Sequence, residues 1–327
     1  MKANIILIGF ILIIAVPVQG QDPAYSQINH HQLFFNPAYA GNSPYARIMA
    51  GYRNQWPGLG NAFVTYFVSY DRYIDAISSN VGAAVNRDIQ SDGAISRTSF
   101  DMVYSYPIEL NNSNILSLGI QASVVQKQLN AGSLTLPDQN PYGTPGATEI
   151  IADRSKIFPD FAAGAALYFG EQYLLSFSVH HLNMPNEMSG SSGSYTTPMK
   201  FTIQAMAEYS VIKKNREQQG LTWYPGIMGQ IQGPSAYFNL GCNVKYNSVI
   251  GGIWVRNDLN LKFSTFIGQL GYTNGAMTLV YSYDAWVPKN YQQVKNFGAH
   301  EVTFIYHFKY NDPKKRMRTI KCPKISR

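Results

Sequence analysis

From Arg47 onward, apolar and polar positions alternate with a period of two. Val64, Tyr66, Val68 and Tyr70 share one face, with Thr65 and Ser69 on the other. Leu116, Leu118, Ile120, Ala122 and Val124 alternate with Ser117, Gly119, Gln121 and Ser123, and Phe238, Leu240, Cys242 and Val244 with Asn239, Gly241 and Asn243. Near the end, Val302, Phe304, Tyr306 and Phe308 oppose Glu301, Thr303 and His307. Such alternation is the mark of a strand with unlike faces, because successive side chains of an extended chain point to opposite sides. About fourteen such segments follow one another, starting near Arg47, Phe63, Asn80, Ser96, Ser113, Pro159, Tyr173, Lys200, Thr222, Ser235, Val249, Lys262, Gly275 and Ala299. Each is near the ~9–11 residues that a tilted membrane strand needs. The pattern predicts an all-β fold, a transmembrane outer-membrane β-barrel of about 14 antiparallel strands over residues 47–308, with the apolar face toward lipid.

The links between segments are sorted. Those after odd segments include the long ones, Lys127 to Phe158, His181 to Met199 and Asp284 to Gly298. Those after even segments are mostly brief, such as Gly170-Glu171-Gln172, and two odd links, near Gly233-Pro234 and Arg256-Asn257-Asp258, are short as well. Long loops outside the cell and short turns in the periplasm are usual for outer-membrane barrels, so both chain ends are expected in the periplasm. A secreted β-sandwich would share the alternation but has no reason to sort its loops.

The flanks carry other signals. Residues 1–20 combine Lys2, an apolar run from Ile5 to Val18 and small residues ending at Gly20, the layout of a secretory signal peptide. Residues 21–46 read as coil or a short helix broken at Asn36-Pro37 and Gly41, placed at the periplasmic mouth or as a plug in the lumen. Residues 309–327 form a tail with eight Lys or Arg and one acid, Asp312. The remaining mature chain is nearly neutral, so the net charge of +7 belongs largely to this tail.

Composition agrees with the barrel. Only 14% of residues are charged, against 23 Tyr, 17 Phe and 4 Trp; a soluble domain usually has about a quarter charged. The inward faces hold small residues, such as Ala84, Gly119, Ser123, Gly164 and Gly241, which suits a filled interior better than the charged constriction of a porin. Cys242 in a strand and Cys322 in the tail are poorly placed for a disulfide or a zinc site. The pairs His30-His31 and His180-His181 could bind metal but read first as polar contacts, so no metal or cofactor is expected. Neither GxSxG nor HExxH occurs, and catalysis is not expected. Tyr52, Arg53, Gln55 and Trp56 fall where the first strand meets its outer loop; they could touch a partner, or simply form an interfacial belt with Pro57 and Gly58 shaping the turn. The tail cluster Lys314, Lys315, Arg316 and Arg318, followed by Cys322-Pro323, is a candidate docking element for a periplasmic partner or for anionic outer-membrane lipid, with no nucleic acid expected.

Several stretches together resemble one family. They are Gln21-Asp22-Pro23, Phe35-Asn36-Pro37-Ala38-Tyr39-Ala40-Gly41, Tyr52-Arg53-Asn54-Gln55-Trp56-Pro57-Gly58-Leu59, Ser178-Val179-His180-His181-Leu182-Asn183 and Ile320-Lys321-Cys322-Pro323-Lys324. The chain resembles the PorP/SprF family over most of its mature length. The resemblance implies an outer-membrane component of the type IX protein secretion system of Bacteroidota. It would be needed for export or surface attachment of cargo proteins such as gliding adhesins. Its implied partners are PorK-, PorN- and PorE-like periplasmic components and the exported cargo. A diffusion porin or uptake channel is the competing function.

Overall fold

The computed structural model describes residues 22–58, 62–133, 153–170, 172–190, 193–210, 220–259, 263–286 and 298–308. The expected signal peptide and basic tail lie outside these residues. Seventeen strands are present among them, and fourteen form the staves of one closed antiparallel barrel. The first seven staves are β1 Ala46–Gln55, β2 Phe63–Ile74, β3 Ser79–Gln90, β4 Ile95–Asn111, β5 Asn114–Leu129, β6 Arg154–Phe169 and β7 Tyr173–His180. A small hairpin, β8 Asn186–Gly190 with β9 Gly193–Thr196, stands in the following loop. The wall resumes with β10 Lys200–Ala207, helped by the two-residue β11 Tyr209–Ser210, then β12 Leu221–Gln232, β13 Ser235–Tyr246, β14 Val249–Asp258, β15 Phe263–Thr273, β16 Met277–Trp286 and β17 Gly298–Phe308. Neighbours in sequence pair in space, and β1 closes on β17 from Ala46↔Phe308 to Gln55↔Ala299. β10 pairs directly with β12, from Lys200↔Gln232 to Met206↔Gly226. Closure leaves no stave with an unpaired edge, the condition for a sheet in lipid.

Observed strand starts fall within two residues of the expected ones, except for β6, which begins at Arg154 rather than near Pro159. The β5–β6 ladder continues past the apolar alternation to Lys127↔Lys156 and Leu129↔Arg154. Its outer rungs are polar, so nothing apolar marks them in the sequence. For the same reason the expected loop from Lys127 is shorter than it looked; its residues 134–152 lie outside those described. The hairpin within the loop after His180 was not anticipated either.

We call the end where β1 begins and β17 finishes the base, and the opposite end the mouth. The long links 130–153, 181–199 and 287–297 are all at the mouth, while the base carries short turns such as 112–113 and 247–248, with 208–220 the exception.

The outward face is a band of exposed apolar side chains: Phe100, Met102, Tyr104 and Tyr106 on β4, Leu118, Ile120 and Val124 on β5, Leu240 on β13, Leu279, Tyr281 and Tyr283 on β16. Between them point the inward residues, for example Ser99, Asp101, Val103 and Ser105 on β4, all buried. What buries them is the segment before β1. Residues 25–31, 33 and 35–41 are buried inside the barrel, an irregular path broken by one helical turn, α1 Gln32–Phe35, and a 3-10 turn, Pro37–Tyr39. Irregular backbone at membrane depth is tolerable only when protein surrounds it and supplies its hydrogen bonds.

The segment runs the full length of the lumen. Asp22 donates its amide to Gln232 at the mouth end of β12, and Ser43 bonds His307 at the base end of β17. The first described residue thus stands at the opposite end of the barrel from the start of β1. The passage is not legible in the sequence, because nothing in residues 22–46 reports direction.

Candidate functional site

Within the lumen, the Asn36-Pro37-Ala38-Tyr39-Gly41 motif forms a seat against β3–β7 and β10. Asn36 lies at an extended φ of −156°, and its side chain accepts from the Ala38 amide at 2.8 Å, capping the 3-10 turn that Pro37 begins. Its Nδ2 donates to the carbonyls of Ala165 and Phe177, both at 3.1 Å, which tie the turn to β6 and β7. Opposite it, Gly119 of β5 and Gly164 of β6 face each other in register. A Cβ on Gly119 would stand 2.2 Å from the Ala38 nitrogen, and one on Gly164 would stand 2.0 Å from the Asn36 Oδ1. The pair of glycines is therefore the flat ground on which the turn rests. Ser117 and Ser105 donate to the Ala38 carbonyl at 2.8 and 3.3 Å, and Ser178 to that of Phe35 at 2.5 Å. Tyr39 donates to Gln204 at 2.9 Å and bonds Ser176, and the Gly41 amide reaches Asp71 at 2.8 Å. Gly41 itself has a φ of +62°, a conformation that glycine adopts without strain.

A charged hub holds the middle of the segment. Arg53 on β1 is 2% exposed and points inward, to Glu301 of β17 at 2.8 Å, Asp284 of β16 at 3.0 Å and Ser26 at 2.9 Å. Glu301 also accepts from the backbone amides of Ser26 and Gln27 at 2.9 and 3.0 Å and pairs with His31 at 3.0 Å. Gln269 and Arg256 donate to the carbonyls of Ser26 and Tyr25. Nearer the base, Arg47 grips Asp71 with two bonds of 3.0 Å and Gln32 with one of 2.8 Å. Around the hub, Tyr25, Ile28 and Phe35 pack with Met49, Phe67, Met228, Trp254, Ile267 and Ile305 of the wall. Burying each large apolar side chain contributes ~1.5–3 kcal/mol, which offsets the ~1–2 kcal/mol per residue lost on ordering the backbone. Several polar inward residues, among them Ser105, Ser117, Ser178, Gln269 and Glu301, complete backbone hydrogen bonds that an irregular segment cannot make for itself.

The mouth carries a second charged cluster. Asp22 lies between His181 at 3.0 Å and Lys200 at 2.5 Å, and His181 turns its other nitrogen to Asp160 at 2.7 Å. Arg97 sits among Asp22, Asp160 and Glu187 at 3.6–3.9 Å, and Glu187 also pairs with Lys127. Burial alone would raise the Asp22 carboxyl, but Lys200, His181 and Arg97 hold it well below its usual range. Burial would lower His181, yet the two carboxylates raise it above the ordinary imidazole value. A cavity of about 60 Å³ remains between the segment and β2–β7, bordered by Leu33, Phe67, Asp88, Asp101, Arg97 and His180. It holds a few waters, not a wide passage.

The structure separates the residues that the sequence had grouped at the first outer loop. Tyr52 is on the lipid side, its ring 5.2 Å from that of Tyr66, and Trp56 packs edge-on against Phe63 at the rim with φ +59°. Gln55 ends β1 half-buried, and Pro57 and Gly58 are exposed. Arg53 is no surface contact: its place inside the lumen follows from the period of two, which sets it on the opposite face from Tyr52. His181 joins the mouth cluster, whereas Leu182 beside it is exposed. Cys242 is on β13 and has no disulfide partner among the described residues; Cys322 lies outside them. Lys314, Lys315, Arg316, Arg318, Cys322 and Pro323 lie outside the described residues. Among the described residues, no three His, Cys, Asp or Glu side chains are grouped to hold a metal ion. Glu301, Asp284 and Asp71, which do much of the holding, were not singled out. The signal was present: each is an acid within a strand of membrane length, and such a charge is costly unless it faces a partner inside.

Comparison with known proteins gives the family. Among solved structures, the outer-membrane protein Omp33 of Acinetobacter baumannii is 8% identical with a TM-score of 0.46, over 81% of this chain and 98% of that one. The toluene transporter TodX of P. putida is 9% identical with a TM-score of 0.48, over 84% and 93%. A Pseudomonas aeruginosa FadL homologue is 12% identical with a TM-score of 0.42, again over 84% and 93%. No curated protein matches the sequence. The family model for type IX secretion system membrane proteins PorP/SprF matches residues 18–306, which include the Asn36-Pro37 seat, the Arg53 hub and the His181 cluster. The chain belongs to the PorP/SprF family of type IX secretion system membrane proteins.

Proposed function

We propose that this protein is a closed outer-membrane scaffold of the type IX system, which joins periplasmic machinery at its base to exported cargo at its mouth. The observation that carries this reading is the filled lumen: the inner segment is bonded to wall strands from mouth to base, with cavities of about 60 and 30 Å³ beside it among the described residues. A porin or uptake channel needs a continuous aqueous path, and this lumen argues against one. Work done by such a barrel is then done on its two surfaces. The long loops at the mouth, expected outside the cell, offer the area for cargo or an adhesin. The tail with Lys314, Lys315, Arg316 and Arg318 is the element suited to PorK-, PorN- or PorE-like periplasmic components, because a cationic cluster speeds and orients association with acidic partners.

Deleting the gene and assaying secreted and surface-bound cargo tests the role; normal export in the deletion strain rules it out. Removing Pro313 to Arg327 is expected to leave the barrel inserted and to abolish co-purification of the periplasmic components. Unchanged co-purification would assign their docking to another part of the molecule.

A further inference from the structure

We infer that the processed amino terminus of this protein is on the outer side of the membrane, so that the barrel closes around a segment threaded through it from base to mouth. The inference rests on the proposed orientation, long loops outward. Asp22 is the observation behind it. All its side-chain partners, His181, Lys200 and Arg97, together with Gln232, which accepts its amide, stand at the mouth ends of their strands or just beyond them. The chain then descends past the hub at Ser26 and the seat at Asn36, and reaches β1 at the base. Cleavage after Gly20 leaves one residue ahead of Asp22. One residue spans at most ~3.6 Å, whereas β10, the lumen wall beside Asp22, is itself roughly 25 Å long. The terminus therefore has no way back to the base.

Order of events follows. A leader still attached would have to stand at the outer mouth while its apolar run is held at the inner membrane, which a closed barrel forbids. Hydrolysis of the peptide bond at Gly20, the class of reaction that frees the leader, must precede seating. The base-to-mouth path also disfavours late insertion of a preformed plug. Ser26 and Gln27 are bound by Glu301 of β17, and Ser26 also by Arg53 of β1, the two strands that close the cylinder. The segment thus contacts both sides of the closing seam.

The test is topological. An epitope inserted between residues 21 and 22 is expected to bind antibody on intact cells, as one in the Ser91–Gly93 turn at the mouth does. One in the Asn112-Ser113 turn at the base should bind only after permeabilisation. An amino-terminal epitope reached only after permeabilisation, with the 91–93 epitope reached from outside, overturns the threading. If the 91–93 epitope is also silent on intact cells while the 112–113 epitope is reached, the orientation itself fails, and the inference falls with it. Where an inserted epitope hinders assembly, Pro23→Cys in a Cys242→Ser, Cys322→Ser background decides: a membrane-impermeant maleimide should label it on intact cells, and protection until the cells are opened is the contrary result. For the order of events, blocking leader cleavage should yield no heat-resistant folded form in the outer membrane; a folded, uncleaved barrel there refutes it.

Discussion

Single atoms decide much in this lumen. Gly164→Ala places a methyl group 2.0 Å from the Asn36 side chain and should cost ~1–3 kcal/mol, the usual range for overpacking. Gly251→Ala on β14 meets nothing within 4 Å and should be neutral. The temperature at which the folded form unfolds in detergent reads both; equal losses would refute the seat. The mouth cluster predicts a pH response. Asp22 has a depressed value, so its contribution is complete above the ordinary carboxylate range and is lost as pH falls through the lowered folded value. His181 has a raised value, so its contribution is complete below the ordinary 6.5 and is lost as pH rises through the raised folded value. The cluster is tightest between these limits and slackens on alkalinisation. Hydrogen exchange of the Asp22 amide, corrected for its intrinsic rate, should accelerate above the His181 transition in the native protein. In His181→Gln that step should vanish, and its persistence would remove His181 from the latch.

At the scale of elements, the inner segment and the wall are each incomplete alone. Deleting residues 22–41 removes Ser26, which accepts from Arg53 and Gln269, and Phe35, which accepts from Ser178, and should yield a barrel with a large steady conductance in planar bilayers, where the native protein is silent. A silent deletion variant that is correctly folded would contradict the filled lumen. The wall was legible in sequence because lipid imposes one constraint on every outward residue. Tyr66, Val68 and Tyr70 show it, and the start of β2 at Phe63 was placed by it, although the strand runs on to Ile74. Inward positions were less legible. Val64, grouped with the lipid face, is buried at the mouth end of β2, and Phe67, Met49, Trp254 and Ile305 point inside although they are apolar. Their environment is the inner segment, which no local pattern specifies. The motif from Asn36 to Gly41 could be seen as a breaker, but its glycine seat lies more than eighty residues away, and only the β5–β6 register brings Gly119 and Gly164 together. The polar outer rungs of the β5–β6 ladder were missed because they stand beyond the lipid, where alternation has no cause.

As a whole, the molecule is a cylinder that grips its inner segment along its length. Arg47 holds Asp71 near the base, Arg53 holds Glu301 and Asp284 in the mouth half, and Lys200 and His181 hold Asp22 at the mouth, while Arg97 stays 3.6 Å or more from each of its carboxylates. Glu301→Ala leaves the buried Arg53 with Asp284 as its remaining carboxylate and strips the Ser26 and Gln27 amides of their acceptor, at ~1–3 kcal/mol for each unsatisfied group, seen as a barrel that unfolds at lower temperature; an unchanged midpoint would mean that the hub is not what secures the segment. The segment's direction along the axis has a mechanical consequence. A secretion machine exerts force, and a pull on the base along that axis loads the bonds at Asn36, Ser26 and Arg47 in shear, all at once rather than one after another. Bonds that share a load fail together only at the sum of their strengths. A barrel pulled from below would therefore keep its seal under tension.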